Sequence, residues 1–358
     1  MYDAKEEIAT SSSRGNSNPQ DTLPSHLVLI EYLRARSPAY QRLRDIRQKG
    51  WESPSGDDYF RSERQRAVTT SEEHETFFFN MTLHIGRQLD EETNAFQILQ
   101  SSDEPSVLDM GIAPGGFSAS ILNQHPSTMI KGITLPPTEG GYAVMLHHDN
   151  VHLELRDINM LAGDLGMSEI PHTHPEAKCL TTQRLLRPGE KYDLVLCGHH
   201  PSRNQERHAW RENSEAKRLT LAQLVIAMEH VKHNGSIVVL LHRPEAIHTA
   251  STMCLFSRFS SISVFKPRRA HAKRSSFYMV AQRVRPCSEA AIRTTRTWKD
   301  EWQAATLRAG DAEESEDPTC VEVQMLLGEF GDELVRLGSP VWSIQEQALQ
   351  RAPFIKRW

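Results

Sequence analysis

A nine-residue turn, Asp109–Phe117 with the sequence DMGIAPGGF, constrains the fold of this 358-residue chain more than any other segment. A short apolar run, Ser106–Met110, leads into the turn, and a helical pattern, Phe117–Gln124, follows it. Glycines let the backbone pass close to a ligand, and a helix start supplies free amide hydrogens. The P-loop and GxGxxG spacings are both absent. The turn therefore predicts a strand-turn-helix unit that binds an amino-acid-like zwitterion.

Apolar runs alternate with helical patterns from residue 106 to residue 283. Two of the runs, 192–197 and 236–242, are almost continuously apolar, which is typical of strands covered on both faces. Strands are predicted at 106–110, 130–135, 151–156, 192–197, 236–242, 261–266 and 276–283. Helices are predicted between them at 117–124, 140–148, 214–233 and 245–257. The alternation, which closes with a hairpin, predicts a doubly wound α/β sheet.

Helical patterns flank the sheet on both sides. We expect a disordered polar tail at 1–21, a helical extension at 22–100, the sheet domain at 101–285, and a second helical extension at 286–358. Two short helices separated at Pro38 and a longer one over 72–100 are expected in the first extension. The second extension contains an acidic linker at 311–317, and the pattern SIQE at Ser343–Glu346 predicts the start of a last helix.

Composition excludes several classes of protein. No apolar run approaches the ~18 residues of a membrane span, and the polar residues 1–20 lack the apolar segment of a secretory signal. The five cysteines are scattered and form no CxxC pair, which argues against a disulfide framework and against a zinc cage. We therefore expect an intracellular protein of the cytoplasm or nucleus, with no metal and no membrane partner.

The turn and several later segments resemble the FtsJ/RrmJ family of ribose 2′-O-methyltransferases. DMGIAPGGFS, at 109–118, matches the family's loop for S-adenosylmethionine. Further matches follow in the family's order: LRDI at 155–158, DLVLCGHHP at 193–201, NGSIVVL at 234–240, and Lys266-Pro267 with RSSFY at 274–278. The resemblance spans about residues 100–285. It implies a seven-stranded Rossmann-like methyltransferase sheet with S-adenosyl-L-methionine as the cofactor.

The resemblance also implies which residues hold that cofactor. They are Asp109, Gly111, Ala113, Pro114, Gly115, Gly116, Phe117, Thr134 and Asp157. Asp157 matches the acid at a strand end that contacts the adenine in the family. Thr134 stands near the place of a family acid that holds the ribose hydroxyls, and its hydroxyl would make a weaker hydrogen bond than a carboxylate.

The family's catalytic tetrad, Lys-Asp-Lys-Glu, is missing from this sequence. The aspartate falls on Gly198, the second lysine on Leu240 and the glutamate on Ser276, and no lysine occurs between Lys49 and Lys131 to supply the first. In the family the tetrad deprotonates and orients a ribose hydroxyl, which is a poor nucleophile until a base removes its proton. The family mechanism therefore cannot operate here unchanged.

His199 and His200 are the candidates for a replacement catalytic base. They follow the fourth predicted strand directly, at the carboxyl edge where doubly wound sheets hold their reacting groups. Histidine is a competent base for a phenol or an enol and a poorer one for a ribose alcohol. Because the chain has 17 histidines, two loop histidines without a catalytic role are the alternative interpretation.

The loop of the terminal hairpin, 266–274, is strongly basic. Its sequence KPRRAHAKR contains Lys266, Arg268, Arg269, Lys273 and Arg274. Contacts with phosphates are the natural use of such a loop, and binding to RNA would then weaken as salt rises. A solvated basic surface is the alternative.

Three functions remain open at this point. The basic loop favours a methyltransferase that acts on RNA. The histidine pair favours a methyltransferase for a small hydroxylated molecule. The missing tetrad favours a pseudoenzyme that binds the cofactor or RNA without catalysis.

Overall fold

The computed structural model describes residues 24–52, 61–62, 72–307 and 318–355, so the expected tail and acidic linker lie outside it. Its helices are α1 (Ser25–Arg36), α2 (Pro38–Glu52), α3 (Glu72–Thr93), α4 (Gly116–Gln124), α5 (Glu215–His230), α6 (Ile247–Ser257), α7 (Glu289–Leu307) and α8 (Cys320–Gln350). Its strands are β1 (Ser106–Met110), β2 (Met129–Thr134), β3 (Val151–Leu155), β4 (Tyr192–Cys197), β5 (Val231–His242), β6 (Ser261–Phe265) and β7 (Ser276–Gln282).

The seven strands form one sheet in the order β3-β2-β1-β4-β5-β7-β6. The first five in this order run parallel, and β7 is antiparallel to both β5 and β6. The strand order reverses between β1 and β4. The crevice outside the carboxyl ends of these two strands is where doubly wound sheets bind ligands. The predicted doubly wound α/β sheet is confirmed, including its closing hairpin.

Side chains of the central strands alternate between two apolar layers, as the period of two in a strand requires. On β4, Leu194 and Leu196 enter the layer that contains α3 and α4, whereas Val195 and Cys197 enter the layer that contains α5 and α7. Because helices cover both faces, these strands are apolar at almost every position.

The terminal helices join the second of these layers. Trp342 of α8 is fully buried, and its ring lies 5.1 Å from that of Tyr40 on α2. The indole Nε1 of Trp342 donates to Glu245 at 2.9 Å, and Arg47 of α2 donates to the other oxygen of that carboxylate at 2.6 Å. Both helical extensions therefore share one apolar core with the sheet.

The helix predicted over 140–148 is wrong. A short 3-10 turn, Pro137–Glu139, ends at Gly140, whose φ of +89° ends helical geometry. The segment 141–148 then runs without regular secondary structure, and Met145 donates its amide to the carbonyl of Pro114 at 2.9 Å. Hydrogen bonding to the Asp109–Phe117 turn has replaced bonding within a helix.

The helix predicted to begin at Ser343 is also wrong, because Ser343 lies inside α8. This helix continues through Pro340, although a proline in a helix interior costs ~3 kcal/mol. Burial of Trp342 and Val341 on the same helix offsets that cost. The capping box that opens α8 is formed by Thr319 and Glu322.

Candidate functional site

A narrow cleft opens at the carboxyl ends of the parallel strands, with a cavity volume of about 170 Å³. The ends of β1, β2, β4 and β5, the start of β7 and one face of α3 contribute its walls. Eight of the residues expected to bind the cofactor or to act as the base line it: Asp109, Gly111, Ala113, Pro114, Phe117, Thr134, His199 and His200. The structure therefore brings most of the predicted cofactor turn and both histidines to one place.

Gly111 fixes the geometry between the ends of β1 and β4. Its φ is +103°, and a Cβ there would lie 2.8 Å from the backbone N and Cα of His199. Hydrogen bonds hold both backbones in place. Gly111 donates its amide to the carbonyl oxygen of Ile133 at 2.7 Å. The side chain of Gln223 accepts from the N–H of His199 and donates to its carbonyl oxygen, both at 2.9 Å. Only glycine fits this position without strain.

Gly115 and Gly116 were expected beside the cofactor, but neither lines the cleft. A Cβ on Gly115, at φ +109°, would lie 2.6 Å from the Cβ of Leu146 in the irregular segment 141–148. A Cβ on Gly116 would lie 2.2 Å from the carbonyl oxygen of Phe79 on α3. The two glycines therefore shape the turn from behind, by allowing this segment and α3 to approach it closely.

Asp109 is a buried acid in the wall of the cleft, 3% exposed. Its carboxylate accepts a hydrogen bond of 2.6 Å from the hydroxyl of Ser118 on α4. Burial raises the pKa of Asp109 to about 7, and the bond from Ser118 only partly opposes this. No cation among the described residues pairs with it. Holding this group ionised therefore costs the folded protein energy.

Asp157, expected at the adenine, is outside the lining of the cleft. Its carboxylate accepts hydrogen bonds from the amide of Asn159 and the side chain of Gln205, both at 2.9 Å, and pairs with Arg211 at 2.9 Å. Arg211 is almost fully buried and also pairs with Glu215 at 2.7 Å. In this conformation an internal ion-pair network occupies the acid expected to bind adenine.

The positions of the missing tetrad meet in the same cleft. Gly198, Leu240 and Ser276 all line it, and α3 adds Phe78 and Thr82 to the opposite wall. No lysine is among the described residues that line the cleft, and Asp109 is the sole acid there. Among the described residues, the lining of the cleft therefore contains no lysine-carboxylate pair.

Four histidines face this end of the cleft: His199, His200, His242 and His271. Burial lowers the pKa of His199 and of His242 to about 4, that of His271 to about 3, and also that of His200. Nearby Arg274 lowers the pKa of His200 and His271 further. All four imidazoles are therefore neutral at pH 7. The side chains of His200 and His242 are the more solvent-accessible of the four, although the surrounding protein still partly desolvates both rings.

Sequence reasoning missed His242 and His271. His242 ends β5 at the edge that holds His199 and His200, so the rule that selected those two would also have selected it. His271 lies in the hairpin loop, and no sequence signal places that loop over the cleft.

The basic loop contains one residue whose expected role is wrong. Lys266 is 2% exposed, and its ammonium donates to the carbonyl oxygens of His271, Arg274 and Ser276 at 3.0, 2.5 and 2.7 Å. Burial, Arg47 and Arg274 lower the pKa of Lys266 to about 7, whereas three acceptors favour the ammonium form with its three hydrogens. Lys266 therefore ties the loop together and is not available to phosphate.

The other four cations of the loop differ in exposure. Arg268 is exposed but pairs with Glu92 of α3 at 3.6 Å, and Lys273 is half-buried. Arg269 and Arg274 are exposed, and Arg274 also lines the cleft. Of the five expected phosphate contacts, these two arginines are the best placed.

The described residues contain no group of three His, Cys, Asp or Glu side chains that could hold a metal ion. No helix in the described ranges is long and apolar enough to cross a membrane.

Comparison with known proteins identifies the family. The model of the FtsJ-like methyltransferases matches residues 87–284, which is more than half of the chain, so this protein belongs to that family. No curated protein matches it.

The solved structures that match this chain share little sequence with it. A putative ribosomal RNA methyltransferase from Plasmodium falciparum is 17% identical, with 56% of this chain and 96% of that chain covered and a TM-score of 0.34. Human methyltransferase-like protein 13, solved in complex with SAH, is 11% identical, with 69% and 97% covered and a TM-score of 0.32. The structure of the fibrillarin/Nop5p complex is 14% identical, with 52% of this chain and 79% of that chain covered and a TM-score of 0.33.

Proposed function

We propose that this protein binds S-adenosylmethionine in the cleft and methylates RNA without the Lys-Asp-Lys-Glu tetrad. One observation carries the proposal: a single cleft is lined by the Gly111–Pro114 turn with buried Asp109 on the side of β1 and β2, and by Arg274 with His242 and His271 on the side of β5 and β7. His199 and His200 follow β4, between these two ends. Family membership supports the reaction class, and the charge of the second end supports the kind of substrate.

The cofactor end suits a zwitterion that also carries a sulfonium. Phe117 in the first turn of α4 lines the cleft, so the start of this helix is close enough for its free amides to bind a carboxylate. Asp109 offers a buried negative charge that has Ser118 as its hydrogen-bond donor. A cation beside Asp109 would lower its raised pKa and offset the cost of its burial. S-adenosylmethionine, when bound, supplies an electrophilic methyl group on sulfur. The remaining chemistry is the acceptance of a proton from the nucleophile.

The acceptor end suits an anionic substrate. Arg274 is exposed there, and the described lining residues at this end include no carboxylate. Arg269, on the same hairpin loop, extends the positive surface beyond the cleft. Guanidinium groups bind phosphate through paired hydrogen bonds, so this arrangement supports RNA over a neutral small molecule.

His200 is the group we propose as the base. It is exposed within the cleft, and its lowered pKa keeps the imidazole neutral and able to accept a proton at pH 7. The backbone of His199 is clamped on both sides by Gln223, which holds the neighbouring His200 in place. A neutral imidazole is a weaker base than a ribose hydroxyl requires, so we expect slow transfer.

A transfer assay with tritiated S-adenosylmethionine and total RNA tests this proposal, with nuclease digestion to locate the label. We expect labelled nucleotides from wild-type protein, a loss of about 100-fold in His200→Ala, and wild-type activity in His248→Ala, which removes an exposed histidine outside the cleft. Label in a small-molecule extract and none in RNA would instead support a small hydroxylated substrate.

The second candidate is a non-catalytic protein that binds the cofactor or RNA. Gly198, Leu240 and Ser276 favour it, because all three tetrad positions in the cleft lack an ionisable side chain. Saturable binding of S-adenosylmethionine, with no label transferred to RNA or to the extract, would support this candidate and contradict the first.

A further inference from the structure

A second cavity lies at the amino ends of β4 and β5, away from the cleft at their carboxyl ends. We call it the basal cavity; its volume is about 480 Å³. Its walls come from the residues just before β4, the end of α5, the chain after β7 and the outer face of α7. Strand β4 runs between the two sites: Lys191 lines the basal cavity and Leu196 lines the cleft, a separation of roughly 17 Å at ~3.3 Å per residue.

Positive charge dominates the basal cavity. Arg184, Lys191, Arg296 and Lys299 line it, and Glu229 is the sole acid among its described lining residues. Glu229 pairs with Arg184 at 2.9 Å and with Lys299, so one carboxylate is shared between two cations. Lys191 donates to the backbone oxygen of Glu229 at 2.6 Å, and no carboxylate among the described residues pairs with Lys191 or Arg296.

The cavity also has an apolar part and an unsatisfied buried group. Met228, Pro286 and Ile292 contribute apolar surface, and Ile292 is 56% exposed although it is a large apolar side chain. His230, another lining residue, is 2% exposed; its Nδ1 contacts the carbonyl of Glu190 at 2.7 Å, and its Nε2 is buried with no hydrogen-bond partner. Because Nδ1 donates to a carbonyl oxygen, Nε2 is an acceptor, and burying it without a donor is costly unless a water or a hydroxyl or amino group of a ligand reaches it.

We infer that the basal cavity binds a phosphate-bearing ligand, either an RNA strand or a free nucleotide. The uncompensated charges of Lys191 and Arg296 attract phosphate, and the surface at Met228 and Ile292 accepts the face of a base or sugar. This inference does not depend on the proposed catalytic function, because no residue lines both sites.

Two cysteines allow the site to be located directly. Cys287 is exposed and lines the basal cavity, whereas Cys179 is exposed and lies outside its lining. The full-length protein is treated with iodoacetamide in three parallel reactions: with no addition, with a single-stranded RNA oligonucleotide, or with ATP. Mass spectrometry of its peptides then measures how fast each of the two thiols is alkylated. We expect added phosphate ligand to slow the labelling of Cys287 at least fivefold while labelling of Cys179 is unchanged.

Two double variants with the same change in charge test whether Lys191 and Arg296 bind the ligand. Lys191→Ala with Arg296→Ala removes one lysine and one arginine from the cavity, and Lys178→Ala with Arg293→Ala removes the same charges from exposed positions elsewhere. We expect the cavity variant to lose protection of Cys287 and to require at least tenfold more ligand, and the control to behave as wild type. For RNA, the salt slope should flatten by about 1.4 relative to wild type, at ~0.7 per phosphate contact.

The two probes distinguish the sources of the phosphate. Protection at lower concentration by RNA supports a nucleic-acid strand as the ligand, and protection at lower concentration by ATP supports a free nucleotide. The inference is overturned if neither probe protects Cys287, or if the cavity variant and the charge-matched control bind alike.

Discussion

Replacing Gly111 by alanine tests the geometry that joins the cofactor turn to the end of β4. The new Cβ would lie 2.8 Å from the N and Cα of His199, and the backbone would keep a φ of +103°. Because Ile133 and Gln223 hold the two sides, neither can retreat cheaply. Two other glycines allow the cost of a positive φ to be measured separately from the cost of the contact with His199. Gly189 has a positive φ of +86° with nothing within 4 Å, and Gly198 has only an oxygen at 4.0 Å.

The expected costs follow from these distances. A side chain at positive φ costs ~1–3 kcal/mol, and forcing a Cβ against a packed backbone costs another ~1–3 kcal/mol. We therefore expect Gly111→Ala to lower the free energy of unfolding by about 2–6 kcal/mol and Gly189→Ala by about 1–3 kcal/mol. Gly198→Ala should be neutral or slightly stabilising, because alanine restricts the unfolded chain.

Urea denaturation of the three variants measures these free energies, and calorimetric titration measures binding of S-adenosylmethionine. Gly111→Ala should also weaken binding at least tenfold, whereas Gly189→Ala, outside the cleft, should leave it unchanged. A cost in Gly111→Ala no larger than that in Gly189→Ala would refute the argument from the contact with His199.

Three further predictions concern charged groups. Burial alone would raise the pKa of Glu245, but Arg47 lowers it from 4.5 to about 2. Denaturation at several pH values should therefore show that this carboxylate loses about 3 kcal/mol of stabilisation between pH 4.5 and pH 2, and Glu245→Gln should abolish that loss. Because the pKa of Asp109 is raised to about 7, the stability of the wild-type protein should fall as pH rises from 4 to 7. At pH 8 the Asp109→Asn variant should be more stable than wild type by roughly 2–4 kcal/mol, and equal stability of the two proteins would contradict this. Arg269→Ala with Arg274→Ala should flatten the salt slope of RNA binding, measured by fluorescence anisotropy, by about 1.4, and an unchanged slope would exclude these phosphate contacts.

The sheet was predictable because its signal is local. Strands covered on both faces are apolar at nearly every position, as at 192–197, and this pattern survives without knowledge of the tertiary structure. The two wrong helices depend on contacts remote in sequence. Segment 141–148 is held by Pro114, and α8 continues through Pro340 while Trp342 packs on Tyr40 and Glu245.

The site was predictable in part. The Asp109–Phe117 turn and the histidines after β4 follow from strand ends, and the structure places them in one cleft. The roles of Gly116 and Lys266 did not follow, because a glycine needed for packing against α3 and a lysine that holds a loop have the same sequence signature as ligand-binding residues. The pairing of Asp157 with Arg211 spans 54 positions, and no local pattern announces it.

Titration of S-adenosylmethionine into wild-type protein and into Asp109→Asn at pH 8 tests the central claim most directly. We predict saturable binding of one molecule per chain to wild type, and binding at least tenfold weaker to Asp109→Asn, because the variant removes the negative charge that faces a cationic ligand. The demethylated product, which lacks the sulfonium charge, should discriminate less between the two proteins. The absence of saturable binding to wild type at millimolar cofactor would contradict the account.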